Sequence, residues 1–263
     1  MALFNLLENP VANKVKLICL FAVVASTASV LNTTKPLSNA QPIFKQEPIE
    51  IQKNTVSNSN KPIFSSIEST AVRKTVFFNY LLPAIEQKNA EILKLRASIS
   101  NDELSTEVLE TLALKYRLGK DTTKEQMLIA IDILPPSLIL AQAANESNWG
   151  RSRFAEEFNN YFGLWCFAKG CGAVPKNRDV DAKHEVATFD SLKDSIDYYV
   201  LNLNRNQAYH NLRAIRKEQR ENGNLITGLA LAKGLTSYAQ TGDEYVASIR
   251  SLIRYNKLEQ YDL

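Results

Sequence analysis

The chain is predicted to be mainly α-helical, with one small β-hairpin lobe. Apolar residues recur at helical spacings from about Val72 almost to the C-terminus. Prolines, glycines and capping residues cut that pattern into segments of ordinary helix length. Only between Gly170 and Phe189 does the helical period vanish, in a stretch that suits two short strands around a polar tip.

Each element follows from its own residues. Val76, Phe77, Tyr80, Leu81, Ile85, Ile92 and Leu95 mark a first helix, with Pro83 as a place to kink or break. Glu103 to Leu118 forms a second, stopped by Gly119. Thr123 and Gln126 have capping-box spacing ahead of the run MLIAIDIL, which Pro135 ends as Pro136 opens the next helix, Ser137 to about Asn148. After the hairpin, Asp190 and Ser191 cap LKDSIDYYVLNLN, and further helices fit 209–220, 225–235 and 243–258.

The N-terminal quarter differs in kind. Lys14 and Lys16 precede the apolar run Leu17 to Leu31, which is shorter than the ~20 residues a spanning helix needs and so suits an export signal, cleaved after Ala28, or a short anchor. Cys19 lies too early in that run to accept a lipid, which leaves it a small buried apolar residue. Residues 32–70 are rich in Asn, Ser, Thr, Lys and Pro and are expected to be a disordered linker, with a relaxed span on the order of 35 Å. The tripeptide Pro-Ile-Phe occurs in it twice, at 42–44 and 62–64. The folded domain after the linker is expected to span 71–263.

Composition narrows the function. A net charge of +3, from 31 basic and 28 acidic residues, lacks the dense basic stripe of a duplex-binding protein, so no nucleic-acid partner is expected. Arg205, Arg213, Arg216, Lys217 and Arg220 do cluster near His210, most simply as a solvated helix face, alternatively as an attractor for acidic groups on a partner. Cys166 and Cys171, in an exported chain, suit a local disulfide. A zinc site with His184 is the competing reading, but it lacks a fourth ligand. Neither metal nor organic cofactor is expected, and the chain is expected to be a monomer.

The chemistry concentrates in AQAANESNWG, residues 141–150. Glu146 sits near a helix C-terminus, where the macrodipole disfavours a carboxylate, and Trp149 at i+3 adds an apolar neighbour. A carboxyl group kept protonated is what glycosidic cleavage asks of its general acid. Phe154, Phe158, Tyr161, Phe162, Trp165 and Phe167 follow, suited to sugar faces or to a core, with Asn159 and Asn160 as amides for hydroxyls and Gly163 permitting close backbone approach.

Together with Asn160-Tyr161-Phe162-Gly163-Leu164, that string resembles the glucosaminidase domain of bacterial cell-wall hydrolases, glycoside hydrolase family 73, with its Q-A-x-x-E-[ST]-x-W-G helix and N-x-F-G-[IL] segment. The Cys-bounded insertion and Gly-x-Val-Pro-Lys at 172–176 are shared with the Bax-type envelope members. The resemblance covers about 75–260. It implies a lysozyme-like α-lobe and a small hairpin lobe bordering a substrate cleft. It also implies Glu146 as catalytic acid, Tyr238 as the late active-site tyrosine and Tyr245 as the second tyrosine of that stretch. Trp149, Asn160, Phe162, Gly163, Trp165 and Tyr245 are the expected substrate contacts. A second acid is expected in the hairpin: Glu185, at the head of KHEVATF, is favoured over Asp179 and Asp181 in the tip.

The expected activity is endo-β-N-acetylglucosaminidase cleavage of the GlcNAc-to-MurNAc bond in peptidoglycan glycan strands, in the cell envelope, with the N-terminal apolar segment as a membrane tether if uncleaved. A lytic transglycosylase and a catalytically silent wall-binding scaffold are the alternatives.

Overall fold

A computed structural model of the chain describes residues 61–174 and 185–262. The expected signal, the linker up to residue 60, and the hairpin tip with Asp179, Asp181 and His184 lie outside the described residues.

The longest helix, α1 (Thr70–Ser100), is capped by the Ser69 side chain and runs through Pro83 without a break. Pro83 and Asn79 both face solvent, so the carbonyl that the missing N–H leaves unpaired can be hydrated. The opposite face, with Phe77, Leu81, Ile85 and Ile92 at helical spacing, is buried and packs on later helices.

The segment before α1 departs from expectation. Residues 61–69 fall in the predicted linker, yet Phe64 is wholly buried, edge-on to Phe77, Tyr80 and Tyr161. Lys61 Nζ donates to the Ala155 and Glu156 carbonyls and to Asn159 Oδ1. One aromatic anchor and one fully engaged ammonium order a stretch whose average composition is that of a linker. The ring lies so close to Gly150 that any Cβ there would overlap it, at 2.4 Å.

Helix α2 (Thr106–Lys115) begins at the Ser105 cap, and α3 (Lys124–Ala130) begins at the Thr123–Gln126 capping box read from the sequence. The sequence suggests that α3 should reach Pro135, but it stops at Ala130. Arginines explain the difference: Arg216 donates to the carbonyls of Ile129, Ala130, Asp132 and Ile133, and Arg96 to those of Leu128 and Ile131. Guanidinium groups thus replace the amides of a further helical turn. Asp132, 2% exposed, receives Arg220 at 2.5 and 2.6 Å and Arg96 at 3.3 Å. The predicted solvated basic face is therefore corrected: Arg216 is fully buried, and Arg213 is spent on the Leu203 and Asn206 carbonyls.

The site rests on α4 (Pro136–Ser147), which starts at a proline pair and ends where Asn148 turns left-handed. Most of its residues are buried against α1 and the C-terminal elements. Near the chain's end, Asp262 accepts from the Ser137 N–H and hydroxyl and from the Gly228 N–H, closing the C-terminus onto the start of α4.

Beyond α5 (Arg153–Phe158), three very short strands form an antiparallel sheet in the order β1 (Trp165–Cys166), β3 (Glu185–Ala187), β2 (Gly172–Ala173). Trp165 pairs with Val186, and Gly172 with Ala187. The hairpin reading identified β2 and β3 but not β1. Helices α6 (Leu192–Arg205, capped by Ser191), α7 (His210–Glu221), α8 (Gly228–Leu231) and α9 (Asp243–Tyr255) complete the helical body. None of the described helices is long and apolar enough to cross a membrane.

Candidate active site

Glu146 occupies the last turn of α4 and is half-buried. Its Oε1 accepts from the Tyr245 hydroxyl at 2.8 Å and from Asn145 Nδ2 at 3.1 Å. Its Oε2 points toward Gly163, whose missing Cβ would stand 3.6 Å away. Gly163 is exposed and has φ +61°, a conformation that disfavours a side chain. One carboxyl oxygen is thus held by donors, while the other faces an open strip of backbone.

The two late tyrosines have different tasks. Tyr245 is buried on α9, and its ring stacks on Tyr238 at 5.3 Å with an 8° interplanar angle. Burial and the adjacent Glu146 carboxylate push its phenol far above the ordinary tyrosine range, so it remains a protonated donor. It backs Glu146 from within the helical body. Tyr238 is partly exposed, and its hydroxyl donates to the Phe162 carbonyl at 3.0 Å, fixing the peptide that leads into Gly163. Burial raises that phenol as well.

Two residues that sequence reading did not single out complete this cluster. Gln142, fully buried one turn before Glu146, donates from Nε2 to the Tyr245 hydroxyl at 2.8 Å. Tyr199 of α6, also fully buried, donates to Gln142 Oε1 at 2.5 Å. A glutamine four residues before the acid, on the same helical face, is the signal that could have found the first. Tyr199 arrives from a distant element and had no such signal.

Several other expected contacts are engaged within the domain. Phe162 is 1% exposed and stacks on Tyr199 at 4.1 Å. Asn160, equally buried, donates to the Leu164 and Ala187 carbonyls and accepts from the Phe162 and Leu164 N–H groups. Its amide is saturated by the loop it shapes. Trp149 follows Asn148 into the left-handed region, so the helical i+3 relation to Glu146 does not hold. Its ring packs on Phe77 and Phe78 beneath the Lys74 ammonium. Trp165, on β1, keeps 52% of its surface exposed.

Glu185 is 7% exposed, with Oε1 accepting from the Gly170 N–H at 3.0 Å and Oε2 from the Gly172 N–H at 2.9 Å. Gly170 lies in the loop closed by the Cys166–Cys171 disulfide, and Gly172 follows directly after it at the start of β2. Such a carboxylate holds a loop, and both oxygens are engaged. The sulfurs and Glu185 lie within 4.8 Å of one another, but disulfide-bonded cysteines offer no thiolate to a zinc ion.

A half-buried glutamate beside an open glycine backbone can offer a carboxyl oxygen to a group laid against that backbone. The family model described as mannosyl-glycoprotein endo-beta-N-acetylglucosaminidase, the glucosaminidase family, matches residues 123–258, and the chain belongs to that family. It is 29% identical over 208 residues to Protein bax of Escherichia coli (strain K12), covering 74% of each chain. Among solved structures it is similar to the catalytic domain of the autolysin Auto from Listeria monocytogenes, at 21% identity and a TM-score of 0.42, over 75% of this chain and 92% of that one.

Proposed function

We propose that the chain is a peptidoglycan hydrolase, an endo-β-N-acetylglucosaminidase that cuts the β-1,4 bond between GlcNAc and MurNAc with Glu146 as general acid. The family description supports the reaction class, and the resemblance of AQAANESNWG and Asn160-Tyr161-Phe162-Gly163-Leu164 to cell-wall hydrolases supports the wall as substrate. The observation that carries the reading is the asymmetry of Glu146: Oε1 is tied to Tyr245 and Asn145, whereas Oε2 is turned toward Gly163. A glycosidic oxygen placed there could take the Oε2 proton as the bond to the sugar breaks. Trp165, two residues after Gly163, is an exposed aromatic suited to a sugar face. Export through the N-terminal apolar segment, with residues 32–60 as a spacer, would put the domain in the cell envelope.

The engagement of both Glu185 oxygens favours a second reading, in which one glutamate serves and the substrate's own hydroxyl or N-acetyl group attacks. Mass spectrometry of fragments released from purified peptidoglycan identifies attack by a sugar hydroxyl: a reducing-end GlcNAc is expected if water attacks directly or opens an oxazoline formed by the N-acetyl group, and anhydro ends would transfer the assignment to a lytic transglycosylase. In the same assay Glu146→Gln should lower turnover at least ~100-fold with an unchanged thermal transition. Wild-type turnover by that variant would remove Glu146 from the reaction.

A further inference from the structure

A buried glutamine beside an acid can serve merely to tie helices together, but such a tie does not depend on polarity. The chain of bonds behind Glu146 does. Tyr199 donates to Gln142 Oε1, Gln142 Nε2 donates to Tyr245, and Tyr245 donates to Glu146 Oε1. A phenol hydroxyl can donate or accept, whereas a primary amide has one accepting end and one donating end. Burial raises the Tyr199 phenol well above its ordinary range, so it stays protonated and can satisfy the amide's accepting end.

We infer that Gln142 is a positioning residue: with Tyr199 it makes Tyr245 an obligate donor to Glu146 Oε1, and thereby confines the carboxyl proton to Oε2, the oxygen facing Gly163. The inference rests on Glu146 being the general acid. A carboxyl oxygen that already accepts two hydrogen bonds is the poorer place for a proton, because a proton there would oppose the donors of Tyr245 and Asn145. The other oxygen accepts no bond within the described residues and lies on the open side. The relay therefore selects which of two chemically equal oxygens is the acid.

The test is Gln142→Glu, nearly the same shape but accepting at both ends. Tyr245 is then drawn to donate to residue 142, Oε1 loses that donor, and a negative charge is added nearby. Loss of a bond to the ionised carboxylate and gain of a like charge both raise its proton affinity, so the basic limb of the kcat–pH profile should move up by about one pH unit. The plateau kcat should fall roughly tenfold while KM changes less than about twofold, since the ground-state contacts are untouched. Tyr199→Phe, which frees the amide's accepting end without adding charge, should move the limb in the same direction by less, and it decides the matter if Gln142→Glu does not fold. A merely structural tie would alter the thermal transition and leave the limb in place.

Folded variants with an unmoved limb and near-normal kcat, measured beside an inactive Glu146→Gln, would overturn the relay and leave the acid assignment standing. That outcome would also follow if the amide were turned the other way, with Tyr245 donating to Gln142. An active Glu146→Gln would instead overturn the acid assignment, and the relay with it.

Discussion

The helical body and the small sheet build the same site by opposite means. The strand-free part places Glu146 on α4, where Leu138, Ile139 and Leu140 are wholly buried and Tyr245 and Gln142 come from packed helices. The sheet consists of strands of two, two and three residues; Trp165 within it and Phe167 and Val174 beside it are 52%, 76% and 53% exposed. Strands that short are not stable by pairing alone. Polar and covalent fasteners hold them: Asn160 across the first loop, Glu185 inside the second, and the disulfide around it. On the proposed function, the acid that must be oriented to within a fraction of an ångström sits on the rigid element, while the short strands beside it are held by separate fasteners.

The contrast predicts where stability resides. Phe64→Ala opens a cavity among Phe77, Tyr80 and Tyr161 at the base of the helical body and should cost about 3–5 kcal/mol, read as a lower denaturant midpoint with an unchanged slope. A chain beginning at residue 71 would lose the same anchor along with the Lys61 contacts, so it should be less stable than one beginning at 61. If Phe64→Ala unfolds at the wild-type midpoint, the segment before α1 is not part of the body.

Gly163 is the seam between the two regions. Gly163→Ala must hold φ near +61° with a side chain, at about 1 kcal/mol, and sets a methyl group 3.6 Å from Glu146 Oε2. Turnover should drop roughly tenfold with only that small loss of stability, because the methyl group occupies the space a glycosidic oxygen needs. Unimpaired turnover would mean that the substrate approaches Glu146 from elsewhere.

What the sequence discloses follows the range of the interactions. Glu146, the Thr123–Gln126 capping box and the Ser191 cap are local patterns, and the structure places each in the expected element. Other side chains are placed by features that the local pattern does not show. Arg216 looks like a surface residue of α7 until Asp132, far back in the chain, draws it inward. Trp149 fits a helical i+3 neighbour of Glu146 only until Asn148 and Trp149 itself turn left-handed. Glu185 could have faced either side of a two-stranded hairpin. The joining of β1 and the donors of Gly170 and Gly172 fix its side chain, and neither shows in the alternation of KHEVATF.

The smallest expected effect concerns that glutamate and its loop. Glu185→Gln exchanges one accepting oxygen for an N–H donor that would meet the N–H of Gly170 or Gly172, so the loop should lose about 1–3 kcal/mol of local stability. Reduction of Cys166–Cys171 removes a closure that spans a sequence separation of 5, worth about 2 kcal/mol on the loop-entropy account. Each fastener limits what loss of the other can do, because the carboxylate still organises an opened loop and the disulfide still confines an unanchored one. Either change alone should therefore lower turnover only about two- to threefold, and the two together should lower it by more than the product of the separate effects. Kinetics of wild type and Glu185→Gln, each with the disulfide intact and reduced, give the coupling directly. A strictly multiplicative result would show that the two act on separate parts of the loop. A large loss from Glu185→Gln alone, with the sheet intact by amide hydrogen exchange, would return that carboxylate to the chemistry.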